Sequence, residues 1–122
     1  RLGWGQPVCL YDYPAACGAL PRLKPGRPEV AERFELYIGG LELCNGFSEL
    51  TDAAEQRRRF AAETEQRRAA GKALYPSPEP FLSALHAMPA AAGNALGIDR
   101  LVMLLVDAER IDQVVAFTPE AL

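Results

Sequence analysis

Apolar and polar residues alternate most regularly along Arg33-Phe34-Glu35-Leu36-Tyr37-Ile38 and again, after Gly39-Gly40, along Leu41-Glu42-Leu43-Cys44. Two glycines between two alternating runs predict a β-hairpin closed by a primed turn. Side chains then divide by parity. Phe34, Leu36, Ile38, Leu41 and Leu43 fall on one face and form the expected core face. Glu35, Tyr37, Glu42 and Cys44 fall on the other. Strict alternation puts Asn45 and Glu49 opposite Glu42, so a shared pocket requires a break in register. Gly46 is the natural place for a bulge, and an irregularity is expected between Cys44 and Phe47.

Other elements read less sharply. Pro7 to Pro14 is a short β-rich run, and residues 15–31, with Gly18, Pro21, Pro25, Gly26 and Pro28, read as a surface loop. From Asp52 to Ala70 the chain is rich in Ala, Glu, Gln and Arg, which predicts a long helix. Thr51 or Asp52 caps it, Glu55 is placed for a capping box and Gly71 ends it. Phe60 is its one large apolar residue, so the helix is expected to be mostly solvated. A short helix follows around Phe81 to Ala87. A short strand comes next, then a helix from about Asp99 to Val106 with Asp99 as cap and Ile98, Leu101, Val102 and Leu105 buried. Ile111 to Phe117 is read as one helical turn or a final strand.

Composition narrows the class. A chain of 122 residues with net charge -3 is at most one domain, and nothing global points to nucleic acid. The 3 cysteines, Cys9, Cys17 and Cys44, are odd in number and lack C-x-x-C spacing, which argues against a disulfide framework or a structural zinc site. No apolar run reaches membrane-spanning length and no signal-peptide pattern opens the chain. The expectation is a soluble, cytoplasmic piece, with Arg1 in place of Met suggesting a processed, trimmed or incomplete start.

Two constellations carry candidate chemistry. On the hairpin, Glu35 and Glu42 are diagonal neighbours, roughly 7–8 Å apart at the backbone. They are either two solvated glutamates pointing apart or a carboxylate pair offset by a cation such as Mg²⁺. In Gly93-Asn94-Ala95-Leu96-Gly97-Ile98-Asp99-Arg100, the glycines permit close backbone approach and Arg100 projects from the first turn of a helix. That arginine can stack on a base or fork onto phosphates; the alternative is a plain glycine bend before a packing helix. The arginines Arg57, Arg58, Arg59, Arg67 and Arg68 are interleaved with glutamates, as on a solvated helix face.

Taken together, the run Arg33 to Asp52 and the run Gly93 to Met103 resemble the hairpin segment and third signature motif of class II aminoacyl-tRNA synthetases of the lysyl group. The likeness covers about Pro7 to Phe117. It implies an α+β fold, an antiparallel sheet flanked by helices, with residues 1–122 a single partial domain from the carboxy-terminal part of the catalytic core. It implies ATP and Mg²⁺ as cofactors and an amino-acid adenylate as product. Glu35 and Glu42 would hold Mg²⁺. Glu42, Leu43 and Gly97 would lie along the nucleotide, and Arg100 would stack on adenine as the residue nearest the chemistry. Asn45 would help position the substrate or the metal, and Glu49 and Ala95 would shape the amino-acid site, Glu49 pairing with the ammonium group of a lysine-type substrate.

Synthetases of the lysyl group tend to carry glycine where this chain has Ala95. An alanine is similar to the paralogous ligases that transfer a lysine to a lysine of elongation factor P. One methyl narrows the pocket and favours a β-amino acid such as (R)-β-lysine, a preference worth roughly 1–3 kcal/mol. A lysyl-tRNA synthetase fragment acting on tRNA and a non-catalytic interaction module are the other two functions considered. The first signature motif, which builds a homodimer interface, and the second, whose arginine grips the α-phosphate, do not occur in these residues. The 122 residues alone are therefore expected to be inactive, with an unpaired sheet edge.

Overall fold

The computed structural model describes residues 2–118. Along the chain run β1 (Val8–Pro14), a 3-10 turn (Ala15–Cys17), β2 (Leu23–Lys24), β3 (Arg27–Ile38), β4 (Leu41–Ser48), α1 (Ala53–Ala69), α2 (Glu79–Leu85), β5 (Ala92–Leu96), α3 (Ile98–Leu105) and a second 3-10 turn (Ile111–Gln113). The strands form a five-stranded sheet in the order β1-β3-β4-β5, with β2 paired to β3. This is the expected α+β arrangement of an antiparallel sheet with helices. Among the described residues no helix is long and apolar enough to cross a membrane.

The β3–β4 hairpin forms as its sequence predicts. Gly39 and Gly40 both take positive φ, 59° and 81°, the conformation that a two-residue primed turn demands and that side chains resist. The preceding segment departs from expectation. Instead of a loop to residue 31, Pro25-Gly26 forms a tight turn with Gly26 at φ 75°, and β3 begins at Arg27. Proline at the first central position and glycine at the second is itself a turn signature. The dense Pro and Gly punctuation therefore marks the hairpin's corner and not the absence of strands.

Contacts gather into two compact units, each built from non-contiguous segments. The first contains the chain up to Tyr11, Arg33–Gly46 and the chain from Asn94. Its core includes Leu43, Cys44 and Met103, with the carboxylate of Glu35 also buried. This corrects the expected division of the hairpin. Phe34, Leu36, Ile38 and Leu41 are only half-buried, while Glu35 and Cys44 on the supposed open face are covered. Helix α3 also differs from expectation. Met103 is its buried residue, whereas Ile98 and Leu105 are 58% and 76% exposed. Its N-cap is Gly97, not Asp99, which lies in the first turn.

The second unit contains Asp12–Glu32 and Phe47–Gly93. Val30, Ala31, Leu50, Leu82 and Leu85 are its buried apolar residues. Helix α1 starts where Asp52 accepts bonds from the amides of Ala54 and Glu55 at 2.9 and 3.1 Å. It ends at Gly71, whose amide reaches the Arg68 carbonyl while that of Lys72 reaches Arg67. Those two bonds and the positive φ of Gly71 make a Schellman stop. Glu55 does not complete a capping box in the expected sense; it pairs with Arg58 and Arg59. The anchor of α1 is Gln56, buried with its amide donating to the Ala19 carbonyl at 3.0 Å. Phe60 adds a tilted contact with Phe81, ring centroids 6.2 Å apart. Helix α2 begins two residues earlier than expected, with Pro80 in its first turn, where the missing amide costs nothing.

Candidate functional site

In the first unit, the two runs singled out from sequence meet. The Gly97 amide donates to the Leu43 carbonyl at 2.8 Å. Three residues on, Arg100 Nη1 donates to the Glu42 carbonyl at 2.7 Å and stands 4.0 Å from the Glu42 carboxylate. Successive carbonyls of β4 thus receive the start of α3. Half of the Arg100 side chain stays exposed, as does much of Glu42, so this edge presents a cation and a carboxylate side by side. Gly97 has an ordinary negative φ of -76°, and a Cβ there would lie 3.4 Å or more from its neighbours. Neither backbone strain nor packing within the unit requires a glycine at that position.

Glu35 sits differently from an exposed carboxylate. It is buried, only 6% exposed, and one oxygen pairs with Arg33 while the other accepts a bond from the Tyr37 hydroxyl at 2.6 Å. Arg33, Glu35 and Tyr37 alternate along β3 and so share a face. A buried carboxylate needs a counter-charge, and Arg33 supplies one. This answers part of the question of like charges on the hairpin, since a protein cation already sits beside one of them.

Asn45 joins the same cluster. Arg33 Nε donates to Asn45 Oδ1 at 2.9 Å. Under unbroken alternation Asn45 would project with Phe34, away from Arg33. Gly46 shows the complementary shift, because a Cβ there would fall 2.5 Å from the Phe34 ring. Both contacts agree with the expected irregularity near Gly46, although β4 runs on as one strand to Ser48.

In the second unit, Glu49 is half-buried and its amide bonds to the Ala91 carbonyl at 2.9 Å. Its carboxylate lies over Gly93, where a Cβ would come within 2.6 Å of Oε1. Sequence reasoning gave Gly93 only a general freedom; its specific use is to leave space for this carboxylate. Ala95, by contrast, belongs to the first unit and is exposed on β5. Arg33 and Tyr37 are the residues whose part in the cluster sequence reasoning passed over. Only the placement of Arg33 and Tyr37 two residues either side of Glu35 offered a signal.

Outside these groups, Arg57, Arg58 and Arg68 are exposed on α1 as expected of a solvated face, whereas Arg59 is covered and donates to the Ala19 and Pro21 carbonyls. Arg57 pairs with Glu79, Arg58 and Arg59 with Glu55, and Arg68 with Glu65. The pairing with Arg58 and then Arg59 holds the Glu55 carboxyl down to about 2. His86 is exposed at the end of α2.

The donor chemistry of Glu35 and Glu42 fits Mg²⁺. Both offer hard carboxylate oxygens, the kind of donor that Mg²⁺ takes. Among the described residues no three His, Cys, Asp or Glu side chains cluster to hold a metal. Mg²⁺ is usually held by one or two carboxylates together with substrate phosphates, so these two would hold it in company with a nucleotide.

A helix-flanked antiparallel sheet with a glycine-punctuated turn latched to a carboxylate-bearing strand defines a class II synthetase-like catalytic fold. The profile of the family described as tRNA synthetases class II (D, K and N) matches residues 4–121, and the chain belongs to that family. Within it, the chain is 49% identical over 119 residues to the elongation factor P--(R)-beta-lysine ligase of Edwardsiella ictaluri (strain 93-146), covering 97% of this chain and 37% of the relative. The ligase of the same description from Avibacterium paragallinarum is 46% identical over 121 residues, 98% of this chain and 38% of that protein. That of Haemophilus influenzae (strain PittGG) is 47% identical over 118 residues, 96% of this chain and 36% of that protein. The chain thus spans little more than a third of the length of the curated relatives it matches.

Proposed function

We propose that the protein to which these residues belong activates a lysine-type amino acid, (R)-β-lysine, with ATP as an adenylate and transfers it to a lysine of elongation factor P. The observation that carries this is identity of 46 to 49% over nearly the whole chain to relatives described by that reaction. The latch of Gly97 and Arg100 onto Glu42 and Leu43 supports it, since it sets a cation beside a carboxylate along one strand, as a Mg²⁺-nucleotide requires. In this proposal residues 1–122 are the carboxy-terminal part of a single catalytic domain, in a cytoplasmic enzyme that is a homodimer at full length.

Each residue has a role in positioning and charge. Glu35 and Glu42 hold Mg²⁺, which when bound neutralises phosphate charge. Leu43 and Gly97 leave the strand and turn open along the nucleotide, and Arg100 covers adenine by cation–π contact. Asn45 orients the amino acid, and Glu49 receives its ammonium group. Ala95 narrows the amino-acid site by one methyl. None of these side chains attacks the substrate. They align a carboxylate with a phosphorus atom and stabilise the charge that moves, which is how such reactions gain most of their rate.

The test uses the full-length protein. Amino-acid-dependent pyrophosphate exchange is expected to favour (R)-β-lysine over α-lysine, with elongation factor P gaining the mass of the amino acid. Exchange with α-lysine and charging of tRNA, with elongation factor P unmodified, would instead show a lysyl-tRNA synthetase. In an active enzyme, Glu49→Gln should weaken amino-acid activation far more than ATP binding. Equal loss of both would reject Glu49 as the ammonium partner.

A further inference from the structure

We propose that Arg33 is a positioning residue that sets the orientation of the Asn45 amide and thereby decides which end of the amino acid Asn45 receives. The inference rests on the amino-acid-activating function proposed for the full-length protein. Its basis is a run of side chains, Tyr37 to Glu35 to Arg33 to Asn45, joined by bonds from the Tyr37 hydroxyl to Glu35 at 2.6 Å, from Arg33 to Glu35, and from Arg33 Nε to Asn45 Oδ1 at 2.9 Å.

The chemistry of the donors fixes the geometry. A guanidinium only donates, so the Asn45 atom that meets it must be the amide oxygen. The NH₂ group of Asn45 is left as the donor end. A donor suits an acceptor, here a carboxylate or phosphoryl oxygen, and repels an ammonium group. Asn45 therefore takes the anionic end of the substrate.

Arginine is needed for this because its planar fork donates along two fixed directions at once. The Arg33 side chain is only 19% exposed and the carboxylate it grips only 8%, so little water competes for either bond. A lysine at the same place keeps a charge beside Glu35 but lacks the second, rigidly spaced donor. Arg33→Lys is thus not conservative here, although it preserves net charge.

The experiment is a double-mutant cycle in the full-length enzyme, read by pyrophosphate exchange. Arg33→Lys and Asn45→Ala should each raise the amino-acid KM by about 10-fold, and Asn45→Ala, which keeps the Arg33–Glu35 pair, should leave ATP KM unmoved. The double variant should be no worse than Asn45→Ala, because Arg33 acts through Asn45. A second variant guards against misfolding. Asn45→Asp keeps an oxygen for Arg33 but replaces the outward donor with an acceptor, so it should melt as the wild type does and still lose amino-acid affinity. Additive effects in the cycle, ATP KM rising in step in Asn45→Ala, or a wild-type amino-acid KM for Asn45→Asp would each overturn the role given to Arg33. A wild-type protein with no amino-acid-dependent exchange would overturn the function itself, and this role with it.

Discussion

Replacing Gly93 with alanine in the full-length protein separates stability from substrate recognition. The added Cβ would lie 2.6 Å from Glu49 Oε1. Non-bonded contact settles near roughly 3.5 Å, so the carboxylate must retreat by about 0.9 Å. The atom in the way is the tip of a flexible side chain, and no positive φ forbids a side chain at residue 93. Folding should therefore suffer little, within about 0.5 kcal/mol. Recognition should suffer much more, since a misplacement of about 1 Å can cost ~100-fold in rate. The expected outcome is a melting temperature close to wild type and an unchanged ATP KM, with amino-acid kcat/KM lowered by about 10- to 100-fold. Thermal denaturation and pyrophosphate exchange with varied amino acid check both halves. Wild-type kcat/KM in Gly93→Ala would refute the claim that Glu49 works from its place over Gly93. So would a full further loss on adding Glu49→Gln to Gly93→Ala.

Three further outcomes are expected. Glu55, held down to about 2 by Arg58 and Arg59, has a depressed folded-state value. Its contribution is fully present above the ordinary value of 4.5 and is lost as pH falls from there through 2. Solvent screening limits it to about 1 kcal/mol, so Glu55→Gln should reduce the fall in unfolding free energy across that window, followed by urea titration, by this amount. Gly26→Ala should cost about 1 kcal/mol in urea titration through backbone strain alone, because φ is 75° and no atom lies within 4 Å of the added Cβ. Purified residues 1–122 should support no pyrophosphate exchange, and robust exchange would show that they hold a complete site.

The hairpin was legible because Gly39-Gly40 separates two alternating runs, and backbone chemistry permits few alternatives there. The β2–β3 corner was not, since Pro25 and Gly26 signal a turn without saying whether strands flank it. For α3 the apolar period marks side chains that seek cover, and so names Ile98 and Leu105. It does not say whether the cover lies within these residues, and both are exposed. The candidate site divides in the same way. Glu35, Glu42 and Glu49 stand out as carboxylates in an unusual pattern. Arg33 reads as an ordinary strand charge until its guanidinium is seen to meet Asn45 Oδ1. Gly93 shows its purpose only once Glu49 is seen above it.

Trp4 is the sole tryptophan of the 122 residues. A Cβ on Gly40 would meet its indole nitrogen at 2.8 Å, so the ring lies against the tip of the β3–β4 turn. That proximity makes the chain carry its own optical reporter. Indole emission tracks the turn joining the strand of Glu35 to the strand of Glu42, with no label added, so opening of the hairpin can be followed by fluorescence in real time.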